Sequence, residues 1–459
     1  LERDEKGLRM AISDDGVGFD PVLKVPGAMG ISGTLQASER TGELRLDSGP
    51  LNLSIPWMFR EPIDTQAVRG VVAWRNDEAG WQIRFDDLQF DANDGKGEGM
   101  IAIRLPPDGS SPYLEIQAQA RDLNAAATPK YLPVNRLSEG SLAWLDRAFV
   151  SGRVPHASLE LRGPVRAFPF RNGEGLFLVR GVVEDLNLDY QPGWTPATQL
   201  TGNVEFRNEG MHASGITARI GDLHASEASG GFADFKNGDL KIAASATGDL
   251  SAALRFLRSS PIGEALGERF AALRGQGETH STVSLLLPIK HMQDRRIAVT
   301  TKLADATVRM VDLDAPVTQL NGSLLVRQQL PVEADLKGRW LGGPLEVSIT
   351  PDDRTDEHAT LMARGTATAE QLAAFTLPSV KLDGALEWRM RTQLTSHSGR
   401  NGPDRNGPDR KGQVFAIDST VEGLGIRLPY PAGKDAASAR ALHVELEQGA
   451  RHWLARANF

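Results

Sequence analysis

The sequence predicts a mainly β protein: a long, twisted, mostly antiparallel sheet curled into an elongated hydrophobic groove, with a few short helices. Three observations carry this. Apolar residues recur at every second position in segment after segment, the period of a strand with one apolar and one polar face. Gly and Asx-Gly turns punctuate the segments. Helical periodicity is confined to short stretches, too few to cover the apolar face of so long a sheet.

The strands follow in order. Leu51, Leu53 and Ile55 alternate with polar partners, as do Trp81/Ile83/Phe85, Ile101/Ile103/Leu105 and Leu114/Ile116/Ala118. Ile216/Ala218/Ile220, Ile297/Val299, Leu345/Val347/Ile349 and Leu386/Trp388/Met390 continue the pattern, and Leu424/Ile426/Leu428 and Leu442/Val444/Leu446 close it. Asn93-Asp94-Gly95, Asn237-Gly238 and Asn321-Gly322 are read as turns between strands. One strand in roughly 20 residues implies about 20 to 25 strands, mostly antiparallel.

The helical segments are Ser138–Phe149, Asp249–Leu257 and Glu370–Phe375, with Asp122 and Asp249 placed as N-caps. In the first, Leu142, Leu145 and Phe149 share a face and Arg147 points away. A weak repeat accompanies the helices: Ala118–Ala126, Ala244–Ala253 and Ala367–Ala374 are alike, and each runs on to a Pro, at 133, 261 and 378. The repeating unit is thus many strands followed by a short helix. It divides the chain into groove segments 1–121, 122–248, 249–367 and 368–459 of one continuous architecture. The tandem Asn-Gly-Pro-Asp-Arg of 401–405 and 406–410 marks an exposed flexible loop over 395–412.

Composition narrows the function. The chain has 459 residues, 40% hydrophobic and 24% charged, which is globular and enough for several domain-sized units. Its net charge of -8 is spread along the chain, and no basic stretch could track phosphates, so nucleic acid is not expected as a partner. With no Cys there is no disulfide, thiolate site or Cys nucleophile. No run of about 18 apolar residues marks a spanning helix. Leu1-Glu2-Arg3-Asp4-Glu5-Lys6 opens the chain without an initiator Met or an apolar stretch, so it reads as an internal piece of a longer protein.

Several motifs resemble chemical sites and are better read otherwise. Asp14-Asp15-Gly16-Val17-Gly18 is similar to the Asp-x-Gly-x-Gly box of histidine-kinase ATPase domains, with Gly30 and Gly33 in place of the next glycine box. That fold needs an Asn-bearing helix well upstream, and only 13 residues precede Asp14. A Gly-rich hairpin turn between Leu8–Ile12 and Val22–Val25 is the better reading, and no ATP is expected at Asp15, Gly16 or Gly18. Asp91-Ala-Asn93-Asp94-Gly95 has its Gly one position early for a calcium loop and reads as a plain turn. Asp352, Asp353, Asp356, Glu357 and His358 read as a solvated loop rather than a metal site. The nine histidines form no ligand pair, and no Gly-x-Ser-x-Gly elbow occurs. Aromatic residues at 6% are thin for a sugar cleft. No catalytic, cofactor or metal residue is expected.

A sheet with one apolar face has three solutions: a second sheet, a closed barrel, or a curled sheet whose face holds something apolar from outside. In the third the fold itself is the site. The groove-lining candidates are Leu51, Leu53, Ile55, Ile101, Ile103, Leu345, Val347, Ile349, Leu386, Trp388, Met390, Leu424, Ile426 and Leu428. A purely structural envelope scaffold and a β-sandwich carbohydrate-binding protein or hydrolase are the alternatives.

A resemblance bears on the choice. Tyr131-Leu-Pro133, Trp144-Leu145-Asp146-x-Ala148-Phe149 with Gly152, Gly163-Pro164, Phe168-Pro-Phe170, Gly175-x-Phe177 and Leu188-Asp-Tyr190-x-x-Gly193-Trp194 are its most specific stretches. Phe256-Leu257 with Ser260-Pro261, Leu287-Pro288 and Gly423-Leu424-Gly-Ile426-x-Leu428-Pro429 extend it. So do Gly30-Ile-Ser-Gly33, Gly42-Glu-Leu-Arg-Leu46 and Ile55-Pro56-x-x-Phe59 upstream. Over roughly residues 25 to 459 the chain resembles the YhdP-type branch of the AsmA-like family. The resemblance implies a large periplasmic protein of a Gram-negative envelope, anchored in the inner membrane by an N-terminal helix outside this chain. It implies non-enzymatic phospholipid transport between inner and outer membranes, with acyl chains on a hydrophobic β-groove.

Overall fold

In a computed structural model, the described residues are 2–4, 7–22, 25–236, 238–260, 273–288, 290–310, 315–328, 330–352, 355–374, 380–395, 414–429, 433–448 and 453–458. They contain 27 strands and three α-helices, so nearly all the alternation in the sequence is strand alternation. The chain divides into two units: Leu1–Gly221, Ser226–Lys241 and Pro288–Lys290 form the first, and Asp222–Ala225, Ile242–Leu287 and His291–Phe459 the second.

The first unit holds β1 (Glu2–Asp4), β2 (Gly7–Phe19), β3 (Gly27–Ala37), β4 (Thr41–Ser48), β5 (Leu51–Ser54), β6 (Ile63–Thr65) and β7 (Ala67–Asp77). It continues with β8 (Gly80–Ala92), β9 (Gly95–Leu105), β10 (Tyr113–Asn124), β11 (Phe149–Pro164), β12 (Leu176–Leu188), β13 (Ala197–Arg207) and β14 (Gly210–Ile220). Each strand pairs antiparallel with the next, except at β5–β6. That hairpin branches off the start of β3, so that β4 pairs directly with β7. Two strands, β15 (Leu223–Phe232) and β16 (Asp239–Asp249), are divided between the units, and the last residue of the next strand, Pro288, also falls in the first.

The second unit holds β17 (Leu273–Pro288), β18 (Arg296–Met310), β19 (Val317–Arg327), β20 (Leu330–Trp340), β21 (Gly342–Asp352), β22 (Thr355–Thr368) and β23 (Lys381–Thr395). These also pair antiparallel in sequence order. One end of β23 then pairs with β25 (Leu424–Arg427) and the other with β24 (Val414–Ser419). β26 (Leu442–Gln448) adds to β24, and β27 (Trp453–Asn458) closes the order. Among the described residues no pairing joins the first and last strands of either unit, so neither is a closed barrel.

The helices lie close to the segments that the sequence marks, and each is started by a side-chain cap. Ser138 Oγ accepts from the Ser141 N–H at 3.2 Å and starts α1 (Glu139–Ala148). Asp249 accepts from Ser251 N–H at 2.8 Å and from Gly277 N–H at 2.9 Å, and starts α2 (Leu250–Arg258). Thr368 caps α3 (Ala369–Ala373). The helical repeat appears as the ends of β10, β16 and β22, each followed by a short helix, the first of them a 3₁₀ turn at Ala125–Tyr131.

Several sequence expectations are corrected. Asp122 is no cap: Asn124 caps the 3₁₀ turn, and Asp122 lies within β10 at φ 56. Asp14–Gly18 is no turn, because β2 runs straight through it. The register against β3 shifts between Ile12 and Val17, and Gly16 lies so close to Gly30 that a Cβ on it would be 2.7 Å from the Gly30 Cα. Val22 and Val25 form only an isolated bridge. Asn321-Gly322 is likewise inside a strand, β19, where a side chain on Gly322 would meet the Asp335 carbonyl oxygen at 2.0 Å. Asp352, Asp356, Glu357 and His358 belong to the ends of β21 and β22, not to a loop. Arg147 does not point away but pairs with Asp189 at 3.1 Å. Asn237, Asp353, Phe375 and residues 396–412 of the expected loop lie outside the described residues, while Thr395 closes β23.

The shifts of register have a common form. Asp87, Asp122, Asp185, Gln199, Asp305 and Gln319 all have φ between 47 and 56. Shifts occur at Phe85/Leu88, Val183/Leu186, Thr198/Thr201 and Leu303/Ala306. These are β-bulges, in which one extra residue bends and twists its strand. The bulge residue is polar and exposed, and an apolar residue follows it: Leu88, Leu123, Leu186, Leu200, Ala306 or Leu320.

Candidate functional site

The site is a face, built row by row across the strands. In an antiparallel sheet, directly opposed residues share a side. In the first unit Leu35, Leu44, Val72, Phe85, Ile101, Ile116, Leu161 and Phe177 are opposed in succession from β3 to β12. Ile103 belongs to the neighbouring row, between Ile83 and Leu114. In the second unit Thr279, Leu303, Gly322, Leu336, Val347, Ala363, Met390, Ile417, Val444 and Ala457 form one row from β17 to β27. Leu345 and Trp388 share the row on one side of it, through Gly365, and Ile349 the row on the other side, with Ala334 and Leu361. Leu386 faces Ala367, and Leu424 and Ile426 extend the face opposite Gly384 and Leu382.

Thus the structure brings Ile101 and Ile103 together in one unit, and Leu345, Val347, Ile349, Leu386, Trp388, Met390, Leu424 and Ile426 in the other. It does not bring in Leu51 and Leu53, which lie on the β5–β6 branch, nor Ile55 and Leu428, which fall just past the ends of β5 and β25. The alternation missed Leu161, Phe177, Leu336 and Ile417, whose rows become visible only once the register is known.

The opposite face is charged. One of its rows reads Lys337, Glu346, Arg364, Arg389, Asp418 and His443. Arg364 Nε donates to Glu346 at 2.7 Å and holds that carboxyl below its ordinary range. Asp418 raises the His443 imidazole by a 2.7 Å hydrogen bond. Both pairs are exposed and contribute little to stability.

The apolar face is partly covered. Leu345, Leu386, Trp388 and Leu424 are buried among their neighbours, whereas Ile101, Ile103, Val347 and Met390 are only half-buried. Nor is the face wholly apolar. Ser281 and Thr301 hydrogen-bond each other across it at 2.9 Å, and Thr279 and Thr392 donate to the Gly248 and Val414 carbonyls. Hydroxyls that satisfy themselves within the protein thus interrupt the apolar surface. Among the described residues the buried indole Nε1 of Trp388 has no hydrogen-bond partner, while that of its T-shaped neighbour Trp340 donates to the Ala315 carbonyl at 3.0 Å.

Beside the first unit's face, α1 is fixed by contacts distant in sequence. Trp144 Nε1 donates to the Tyr190 carbonyl at 2.9 Å, and its ring meets Phe149 edge-on at 6.1 Å. Arg60 pairs with Asp146 at 2.8 Å, and Asn135 donates to the Trp57 carbonyl. Burial and the nearby Asp189 push the Tyr190 hydroxyl up to about 12.

Among the described residues, no three His, Asp or Glu side chains are grouped to hold a metal, and no helix is long and apolar enough to cross a membrane. An open antiparallel sheet with one charged face and one half-covered apolar face defines a β-groove protein. The chain belongs to the YhdP protein family, which its residues 2–458 match. It is 22% identical over 428 residues to the intermembrane phospholipid transporter YhdP of Escherichia coli strain K12, an alignment covering 92% of this chain and 33% of that protein. The chain therefore spans about a third of the length of that relative. No solved structure matches it.

Proposed function

We propose that this chain is part of a non-enzymatic conduit for phospholipid, with acyl chains lying on the apolar face and the charged face in water. The observation that carries the reading is the cross-strand apolar row, repeated in both units and left half-covered. Two acyl chains with roughly 30 methylenes face about 24 kcal/mol on entering water, and a mostly apolar face, its few hydroxyls already hydrogen-bonded, removes much of that cost. The lining residues are Ile101, Ile103, Leu345, Val347, Ile349, Leu386, Trp388, Met390, Leu424 and Ile426, with Leu51, Leu53, Ile55 and Leu428 as flanking contacts. The four segments 1–121, 122–248, 249–367 and 368–459 are stretches of one path. The relative's name places it between two membranes, and the same setting suits this chain: the periplasm of a Gram-negative cell, with attachment to the inner membrane and delivery to the outer.

The test compares the two faces. Val347→Asp places a carboxylate in the middle of an apolar row, where an uncompensated charge is costly to desolvate. Met362→Lys places a charge on the other face, where Met362 is 47% exposed. Phospholipid copurifying with each folded protein is measured by mass spectrometry. Val347→Asp is expected to lose bound lipid and Met362→Lys to keep it. Equal lipid in both would leave the scaffold as the better account.

A further inference from the structure

Lys434 is the one ionisable side chain among the buried described residues, at 8% exposure. Its main chain fixes the direction of its side chain. Ile426 N–H donates to the Lys434 carbonyl at 2.8 Å and Lys434 N–H to the Ile426 carbonyl at 2.9 Å, so the two residues are directly opposed and share a face. Ile426 is in turn opposed to Leu382 of β23, and it packs on the cluster of Leu386, Trp388 and Leu424. Lys434 therefore projects from the apolar face, not the charged one. On the charged face, the nearest ion pair of this region joins Arg427 and Asp383.

The ammonium is held without being neutralised. Nζ donates to the Leu424 carbonyl at 2.9 Å and to the Asp435 carbonyl at 2.8 Å, both uncharged acceptors. An ammonium carries three donors, so one is left over. Among the described residues no carboxylate pairs with it. A buried charge with no counter-charge is costly, and a neutral donor would satisfy the same two carbonyls without that cost. A cation kept at the margin of an apolar face matches an anion that carries an apolar body.

We infer that Lys434 anchors the phosphate of a phospholipid headgroup while the acyl chains lie over the half-buried Ile426 and Leu382. The inference rests on the groove reading above and adds a headgroup selectivity to it. No bond is made or broken; the spare N–H donates to a phosphate oxygen.

The test titrates the full chain with dihexanoyl phosphatidic acid, with dihexanoylglycerol and with inorganic phosphate, following binding by calorimetry. The wild type should bind the phosphatidic acid about tenfold more tightly than the neutral lipid, the effect of one charge-assisted hydrogen bond. Lys434→Met should abolish that preference and leave the neutral lipid's affinity unchanged, whereas Lys434→Arg should retain it. A preference that survives Lys434→Met overturns the anchor. So does inorganic phosphate binding as tightly as the phosphatidic acid, since the site would then hold free anions. Wild-type binding of both lipids without preference overturns the anchor and leaves the groove; binding of neither overturns both. Should Lys434→Met not fold, the wild type still decides, because a preference insensitive to added salt is not a charge contact.

Discussion

Asp87, Asp122, Asp185 and Asp305 hold left-handed φ values of 48, 56, 49 and 47 inside strands. Such a conformation costs most residues about 1–2 kcal/mol, and Asp among the least, because its short polar side chain finds local partners. At Asp305 the main chain is also satisfied across the sheet: its backbone N–H donates to Asn321 Oδ1 on the next strand at 2.9 Å. The Asp-Leu dipeptide was legible as a local signal but ambiguous in meaning, since a β-bulge and a helix N-cap ask for the same residue. Asp249-Leu250 is the cap and Asp122-Leu123 the bulge. What separates them is whether a paired strand continues alongside, which is not local information. At Asp185, replacement by Gly is expected to leave stability unchanged or slightly higher. Asp185→Val should lower it by about 1–2 kcal/mol, from the left-handed strain of a β-branched residue. Urea unfolding of the two variants checks this, and equal midpoints would mean that the bulge is not strained.

At the scale of elements, α1 was legible from the spacing of its apolar residues and α2 from its Asp249 cap. Their docking was not, because it depends on residues far away in the chain. Trp144 reaches the Tyr190 carbonyl, and Trp144→Phe keeps most of the ring while leaving that carbonyl without its donor. A loss of about 1 kcal/mol is expected by thermal melting; a loss near zero would show that water replaces the indole. For α2, hydrogen bonds from Ser251 and Gly277 lower the Asp249 carboxyl below its ordinary 3.8. A carboxyl lowered by folding stabilises fully above its unfolded pKa, and that contribution fades as pH falls through the folded value. Asp249→Ala should therefore cost about 1 kcal/mol at neutral pH. The difference from wild type should narrow under acid conditions below 3.8. A difference that stays constant with pH would assign the effect to helix propensity alone.

For the molecule as a whole, strand order was legible because most strands pair with their neighbours in sequence, the β5–β6 branch and the β24–β26 region apart, so period-2 alternation carries most of the fold. The rows were harder to see because glycine interrupts them. A Cβ on Gly365 would meet the Trp388 ring at 2.9 Å, and one on Gly42 the Trp74 ring at 2.1 Å. On the apolar face these glycines are covered by the aromatic ring of the adjacent strand, so a gap in the sequence pattern is a filled position in the structure. The face that results is a property of register, and it can be tested by position rather than by loss. A photoreactive benzophenone side chain introduced at Ile103 or at Met390 would lie on the apolar face of the first or second unit. The same group at Ala102 or Arg389, one residue earlier, would lie on the charged face. Irradiation in cells should yield phospholipid adducts at Ile103 and Met390, and few at Ala102 and Arg389, because side chains one residue apart project to opposite sides of the sheet. Adducts in only one unit would confine the lipid path to that unit. Equal adducts on both faces would mean that lipid reaches the protein from the surrounding membrane and not along the rows.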